Sequence, residues 1–123
     1  MEPKELNELL LNRFPMIKSK FEQETNWQDG INTGSIVVFE DVYFKYIKRY
    51  IKNEKLSTKN FDFIKELLAL DDEYVKDVVV TALIENMISS TKKDLFVKYF
   101  DDNMKKIANE IGAKYFYNWK EIA

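Results

Sequence analysis

Apolar residues recur at helical spacing along most of the chain. Phe61, Ile64, Leu67 and Leu68, for example, fall at positions i, i+3, i+6 and i+7, which places them on one helix face. Residues 36–39 have strand-like composition, but no partner strand is evident, and a lone strand leaves its backbone groups unpaired. The pattern therefore predicts helices over residues 3–12, 15–25, 36–53, 58–70, 73–89, 92–100 and 102–112.

The clearest of these elements is a pair of helices joined by the acidic corner Asp71-Asp72. One of the two aspartates is expected to cap the second helix, and Glu73 adds negative charge to its first turn, where the helix dipole favours it. The second helix, 73–89, is apolar almost all the way round. Such a helix belongs in the middle of a packed layer, so we expect it at the centre of the domain.

Turn and capping residues set the other boundaries. Pro15 disfavours helical geometry at Phe14 and predicts a break there. Residues 26–34 form a loop, in which Trp27 is expected to cover the edge of the core; the alternative is a contact aromatic at the tip of the loop. The remaining cap candidates are Ser35, Ser57 or Thr58, and Thr91, the last with Asp94 in the place of a capping box.

The C-terminal part of the chain is rich in aromatic residues. Gly112 is expected to end the last helix, since glycine suits the residue after a helix. The following tail, residues 113–123, is expected to dock on the domain, because an exposed run this apolar would invite association.

Composition agrees with a helical protein. The 123 residues fit one domain, 1–123, and 46% of them are hydrophobic, which is ample for a core. Only three glycines and two prolines are present, whereas all-β folds need many turns and carry more of both. The predicted fold is all-α, an irregular bundle or a short superhelical stack of six to seven antiparallel helices.

The chain contains no Cys and no His. Disulfides, thiolate nucleophiles, Cys-ligated zinc, His-metal sites and a His general base are therefore excluded together. No other catalytic signature is evident, so we predict a non-enzymatic protein without a cofactor. The alternative within the enzyme class is a His-free catalyst that uses carboxylates of raised pKa.

The net charge of −2 is unevenly distributed. Residues 45–60 hold six basic side chains and one acidic one, whereas residues 62–85 hold seven acidic side chains and two basic ones. The folded protein is therefore expected to have a basic side and an acidic side.

The candidate partner-binding residues are the acidic side chains of the corner and of the helix that follows it: Asp72, Glu73, Asp77 and Glu85. The last three are spaced by multiples of four residues and form a slowly drifting stripe along an apolar helix. Such a stripe suits a cationic partner protein, although a solvated ridge is the default for these residue types. A metal site is disfavoured, because Ca²⁺ or Mg²⁺ needs several converging oxygens.

The basic segment 45–60 raises nucleic acid as another partner, since basic charge binds phosphates and tyrosines can stack on bases. Its tyrosines, however, lie at core spacing, the pI is about 5.3, and no nucleic-acid-binding motif is present. We therefore do not expect nucleic acid as the partner.

Around the acidic corner the chain resembles a HEAT-type helical repeat. Asp72 is followed by Val75-Lys76, then Val79, then Ala82-Leu83, in the order that such repeats follow. Lys76 stands where Arg is usual, and Val79 stands where Ala is usual. The resemblance covers one helix pair and implies, as the alternative function, a HEAT-like scaffold or regulatory module that binds a peptide or a partner helix.

More broadly, the Phe14-Pro15 break, the loop and the 61–87 hairpin look like a family of small, poorly characterised helical bacterial proteins. Some such proteins lie beside secreted toxins, which implies a role as immunity proteins. The leading hypothesis is accordingly a cytoplasmic immunity protein that neutralises a cognate toxin with a basic domain.

The N-terminal residues agree with a cytoplasmic location. Glu2, Glu5 and Glu8 stand where a signal peptide carries its basic region. No segment approaches the roughly 20 apolar residues of a membrane span, so we expect no membrane contact.

Overall fold

The computed structural model describes residues 1–123 and contains seven α-helices and no strand. Side chains from all seven helices share one hydrophobic core. The all-α prediction is confirmed, and the arrangement is the irregular bundle. The helices are α1 (Pro3–Arg13), α2 (Lys18–Thr25), α3 (residues 35–49), α4 (Glu54–Leu68), α5 (residues 73–88), α6 (Lys93–Val97) and α7 (Asp102–Tyr115).

Helix α5 lies at the centre of the bundle, as its apolar sequence predicted. It contacts α3, α4, α6 and α7. Val75, Val79, Leu83 and Met87 are completely buried along its length. A helix with this many neighbours has no wide polar face, which explains why nearly every turn of α5 is apolar.

Helices α3 and α5 each contain a π-helical segment that the 3.6-residue period did not predict. Phe39–Tyr43 forms the wide turn in α3, and Val79–Ile84 forms the one in α5. The two segments contact each other at the centre of the core. The wider turn holds one residue more than an α-turn, and the consecutive residues 82–84 of α5 are all buried.

A buried polar network fixes the loop 26–34 against the core. The Asn7 side-chain amide donates to the carbonyl oxygens of Ile31 and Thr33, at 3.0 and 2.8 Å. Ser35 Oγ donates to Asn7 Oδ1 at 2.9 Å, and the Ser35 backbone N–H donates to the Tyr74 hydroxyl at 3.2 Å. Ser35 is thus the first residue of α3 and a core hydrogen-bonding residue, so its predicted capping role is wrong.

Trp27 in the same loop is 76% exposed, so the prediction that it covers the core edge is also wrong. The loop is closed by the 3₁₀ turn Gly30–Asn32, and Gly30 adopts a left-handed φ of 57°. The loop is held to α1 by Asn7 and not by the tryptophan.

The start of α4 differs from its prediction. Asn53 caps the helix, since its Oδ1 accepts from the Leu56 backbone N–H at 3.0 Å. Ser57 lies one turn inside α4, where its buried Oγ donates to the carbonyl oxygens of Tyr50 and Ile51. The hydroxyl thereby satisfies backbone groups at the end of the preceding segment, because α3 ends at residue 49 and not at 53.

The cap predicted at Thr91 is wrong as well. Helix α6 begins at Lys93 without a side-chain cap, and Ser90 Oγ instead accepts from the Lys92 backbone N–H at 3.0 Å. Helix α7 begins at Asp102, as predicted, and Asp101 caps it, because its Oδ1 accepts from the Met104 backbone N–H at 2.8 Å.

Gly112 does not end α7, which continues to Tyr115. Its absent side chain leaves room for the Trp119 ring, whose Cδ2 and Cε2 atoms a Cβ on Gly112 would overlap. Beyond the helix, the chain reverses at Asn118, which has a left-handed φ of 54°. We call residues 116–122 the C-terminal hook, since they fold back along α7.

Asn109 holds the hook in place. Its Oδ1 accepts from Trp119 Nε1 at 3.2 Å and from the Ile122 backbone N–H at 2.7 Å, while its amide donates to the Ile122 carbonyl at 2.9 Å. Lys93 Nζ lies 4.0 Å from the centroid of the Trp119 ring. The predicted docking of the tail therefore holds for Trp119, although Tyr117 is fully exposed.

Candidate acidic groove

A groove of about 570 Å³ lies where the corner between α4 and α5 meets α7. Its floor is formed by Leu68 and Ile107, the only apolar residues in its lining. The other lining residues are polar or charged: Asp71, Asp72, Glu73, Lys76, Asp77 and Asn103. We call this surface the acidic groove, since four carboxylates share it with one lysine.

Local sequence explains why the carboxylates collect here. Asp71 adopts a left-handed φ of 53°, a conformation that Asp tolerates better than most residues, and this turns the chain from α4 into α5. Glu73 and Asp77 lie four residues apart in a regular α-helical stretch, so both side chains face the same way.

Asp72 has a structural role within the groove. Its Oδ1 accepts from the Val75 backbone N–H at 3.1 Å, which confirms the predicted cap, and its Oδ2 pairs with the amino group of Met1 at 2.8 Å. The hydrogen bond from this amino group, followed by that from Val75, holds the pKa of Asp72 below its ordinary value. The carboxylate is therefore ionised and already engaged.

The carboxylates of Asp71, Glu73 and Asp77 form no hydrogen bond or ion pair within the protein, unlike that of Asp72. Asp71, Glu73 and Asp77 are also exposed. Lys76 is likewise unpaired, so the groove carries an excess of negative charge that no neighbouring side chain neutralises.

Glu85 lies apart from the other three candidate residues. It is half-buried beside a separate groove, which is lined by Ile111 and Tyr115 from the end of α7 and by Phe116 from the C-terminal hook. The π-helical segment Val79–Ile84 separates Asp77 from Glu85, so the fixed angular step that predicted one continuous stripe does not hold between them. The structure thus brings Asp72, Glu73 and Asp77 together and leaves Glu85 outside.

Three polar residues of the groove lie outside the predicted set. The sequence indicates Asp71 only as a cap and Lys76 only as a repeat-motif residue, and Asn103 belongs to α7, some 30 residues further along the chain. Only the packing of α7 against α5 brings Asn103 to the groove, and no local sequence pattern could have indicated it.

The chemistry of the groove is electrostatic. No three acidic side chains converge in an arrangement that would hold a metal ion. The two carboxyl groups with shifted pKa values, Asp72 and Glu66, are both shifted downwards by hydrogen bonds, Glu66 by the Arg13 guanidinium 2.6 Å away. Both of these carboxylates are already paired, and Glu66 lies outside the groove, so the groove's attraction for cations comes from the unpaired Asp71, Glu73 and Asp77. No helix of the structure is long and apolar enough to cross a membrane.

A family model described as a domain of unknown function, DUF7674, matches residues 7–117. This range includes every helix from the second turn of α1 to the end of α7, together with the acidic groove. No curated protein and no solved structure matches the chain.

Proposed function

The chain belongs to the DUF7674 family, and we propose that it is a non-enzymatic protein-binding module whose acidic groove receives a basic surface of its partner. The observation that supports this most directly is the set of exposed, unpaired carboxylates of Asp71, Glu73 and Asp77 within one groove. A cationic side chain that enters the groove can pair with them without displacing an existing ion pair.

In its most concrete form, the protein is a cytoplasmic bacterial immunity protein that neutralises a cognate toxin by covering a basic domain. An acidic surface speeds the encounter with a basic partner, since complementary charge raises association rates. When the partner binds, it removes the apolar floor formed by Leu68 and Ile107 from water, which adds to the affinity. The role requires no catalytic group, in agreement with a chain that lacks Cys and His.

The test is co-purification of the protein with the product of the gene adjacent to its own, followed by kinetic measurement of the complex. We expect Asp77→Lys to lower the association rate by about tenfold at low salt and by less at high salt, because charge screening removes the advantage. Lys76→Glu, which lies in the same groove, should raise the rate.

Glu22→Lys on α2 is the matched control, since it makes the same change of net charge at an exposed residue outside the groove. Equal effects of Asp77→Lys and Glu22→Lys would mean that the groove is not the interface. The proposal as a whole fails if no toxin-like gene lies nearby and affinity capture finds no protein partner. Where a partner is found, the effect of Glu85→Lys on its association rate shows whether the partner also covers the neighbouring groove beside Glu85.

A further inference from the structure

A second surface, with chemistry opposite to that of the acidic groove, lies where the beginning of α2 meets α3. Its six principal lining residues are Met16, Lys20, Lys45, Tyr46, Arg49 and Tyr50, and it has a volume of about 320 Å³. Met16 and Tyr46 also line an adjoining groove of about 340 Å³ that extends to Arg13 and Lys59. We call the two together the basic-aromatic groove.

The floor of this groove is apolar. Ile17 and Val42 are buried beneath it, while Met16 is 59% exposed at its rim. The rings of Tyr46 and Tyr50 are both half-buried, with centroids 5.1 Å apart. Methionine is flexible and polarisable, so it adapts to the shape of an apolar side chain placed against it.

This arrangement corrects one argument from the sequence. The spacing predicts core positions for Tyr43, for Tyr46 or Ile47, and for Tyr50, but only Tyr43 and Ile47 are buried. Tyr46 and Tyr50 line a surface groove, and burial followed by the proximity of Tyr50 raises the pKa of Tyr46. The Tyr46 hydroxyl, like any tyrosine hydroxyl at neutral pH, carries its proton and can donate a hydrogen bond to an anion.

The positive charges around the floor are not neutralised by the protein. Lys20, Lys45 and Arg49 are exposed and form no ion pair, since the two ion pairs of the structure involve Met1 and Arg13. Asp62, at the far end of the adjoining groove, is the only acidic residue in the lining. An anionic group that enters the groove therefore meets three cations without a carboxylate partner around a hydrophobic centre; one of them, the Arg49 guanidinium, lies 5.5 Å from the centroid of the Tyr50 ring.

From this combination we propose that the basic-aromatic groove binds an acidic peptide segment of a partner protein, with one of its apolar side chains inserted between Met16 and Tyr46. The charged rim selects acidic residues, and the floor requires a hydrophobic one. A nucleic acid could pair its phosphates with the same rim and stack a base on Tyr46, so it is the competing occupant that the test must distinguish.

This inference is independent of the proposed function. The acidic groove and the basic-aromatic groove have no lining residue in common. Loss of binding at one surface therefore leaves the other intact, and the two proposals can fail separately.

The test uses fluorescence anisotropy with three labelled probes: a polyglutamate peptide with two central leucines, a glutamate-only peptide of the same length, and an oligo-dT strand. We expect the leucine-containing peptide to bind most tightly. The double variant Lys45→Glu/Arg49→Glu should weaken its binding by about tenfold or more, because both cations face the groove.

The control is Lys106→Glu/Lys120→Glu, which makes the same charge change at exposed residues near the C-terminus, and it should leave the affinity unchanged. Met16→Ala should weaken the binding of the leucine-containing peptide and leave the binding of the glutamate-only peptide unchanged. All five substituted side chains are exposed, and circular dichroism verifies that each variant is folded. The proposal is overturned if the oligonucleotide binds more tightly than the peptides, if no peptide binds, or if both double variants act alike.

Discussion

Gly112 permits a sharp test of the packing between α7 and the C-terminal hook. Substitution by alanine would place a Cβ where the indole ring of Trp119 now lies, and the three heavy atoms nearest to that position all belong to this ring. At the same time, alanine stabilises a helix interior by about 1 kcal/mol relative to glycine. Gly112→Ala therefore combines a local gain in helix stability with the expulsion of a docked ring.

The magnitudes decide the sign of the result. The ring is held by a hydrogen bond to Asn109, worth about 1 kcal/mol, and by the Lys93 ammonium, worth about 0.5–1 kcal/mol, in addition to its apolar contact. We estimate that displacing it costs about 2–3 kcal/mol in all, from these terms and the lost burial. Gly112→Ala should then lower the free energy of unfolding by about 1–2 kcal/mol, because the loss exceeds the helix gain of about 1 kcal/mol.

A double-mutant cycle separates the two effects. In a Trp119→Ala background the ring is absent, so Gly112→Ala should raise the free energy of unfolding by about 1 kcal/mol. Unfolding is followed by circular dichroism in urea. Fluorescence of the Trp27→Phe background, in which Trp119 is the only tryptophan, should shift towards longer wavelength when Gly112→Ala exposes the ring.

Equal stabilisation by Gly112→Ala in both backgrounds would show that the ring does not rest on Gly112 in solution. A Trp119 emission spectrum unchanged by the substitution would lead to the same conclusion.

Three further predictions concern the rest of the fold. The guanidinium of Arg13 holds the pKa of Glu66 below its ordinary value of 4.5. The stability that this pair contributes is therefore complete above pH 4.5 and is lost as the pH falls through the lowered pKa. Glu66→Gln should accordingly flatten the acid limb of a curve of unfolding free energy against pH, measured by urea unfolding. Asn7→Leu should lower the free energy of unfolding by about 1–3 kcal/mol, since it leaves two loop carbonyls unpaired, whereas the same change at exposed Asn12 should have little effect in the same assay. Asp101→Ala should lower the free energy of unfolding by about 1 kcal/mol, because α7 loses its cap. The loss should appear as a lower midpoint of thermal unfolding.

Helix periodicity predicted the fold because each long helix buries a regular face. Predictions of helix ends were right where an aspartate immediately precedes the helix, at Asp72 and Asp101. They failed at Ser57, because its hydroxyl lies inside the helix and donates to the carbonyl oxygens of Tyr50 and Ile51, just before the helix, and does not cap its start. They failed at Gly112 for a different reason, since glycine there provides space for a ring and not a special φ.

The candidate site was only partly predictable from the sequence. Glu73 and Asp77 share a face because an unbroken α-helical stretch connects them, and this much follows from local spacing. The position of Glu85 depends on hydrogen bonding within a buried helix, and that of Asn103 depends on tertiary packing. The exposure of Tyr46 similarly depends on which residues of α2 lie beside it, which a periodic pattern cannot show.

The paired π-helical segments of α3 and α5 have a consequence for the comparison of family members. Each wide turn holds one residue more than an α-turn, so a chain that lacks this residue can close the turn without moving the helix on either side. In an alignment of the family, single-residue gaps should therefore cluster at residues 39–43 and 79–84. Since the two segments contact each other, a deletion in one should be accompanied by a deletion or a change of side-chain size in the other.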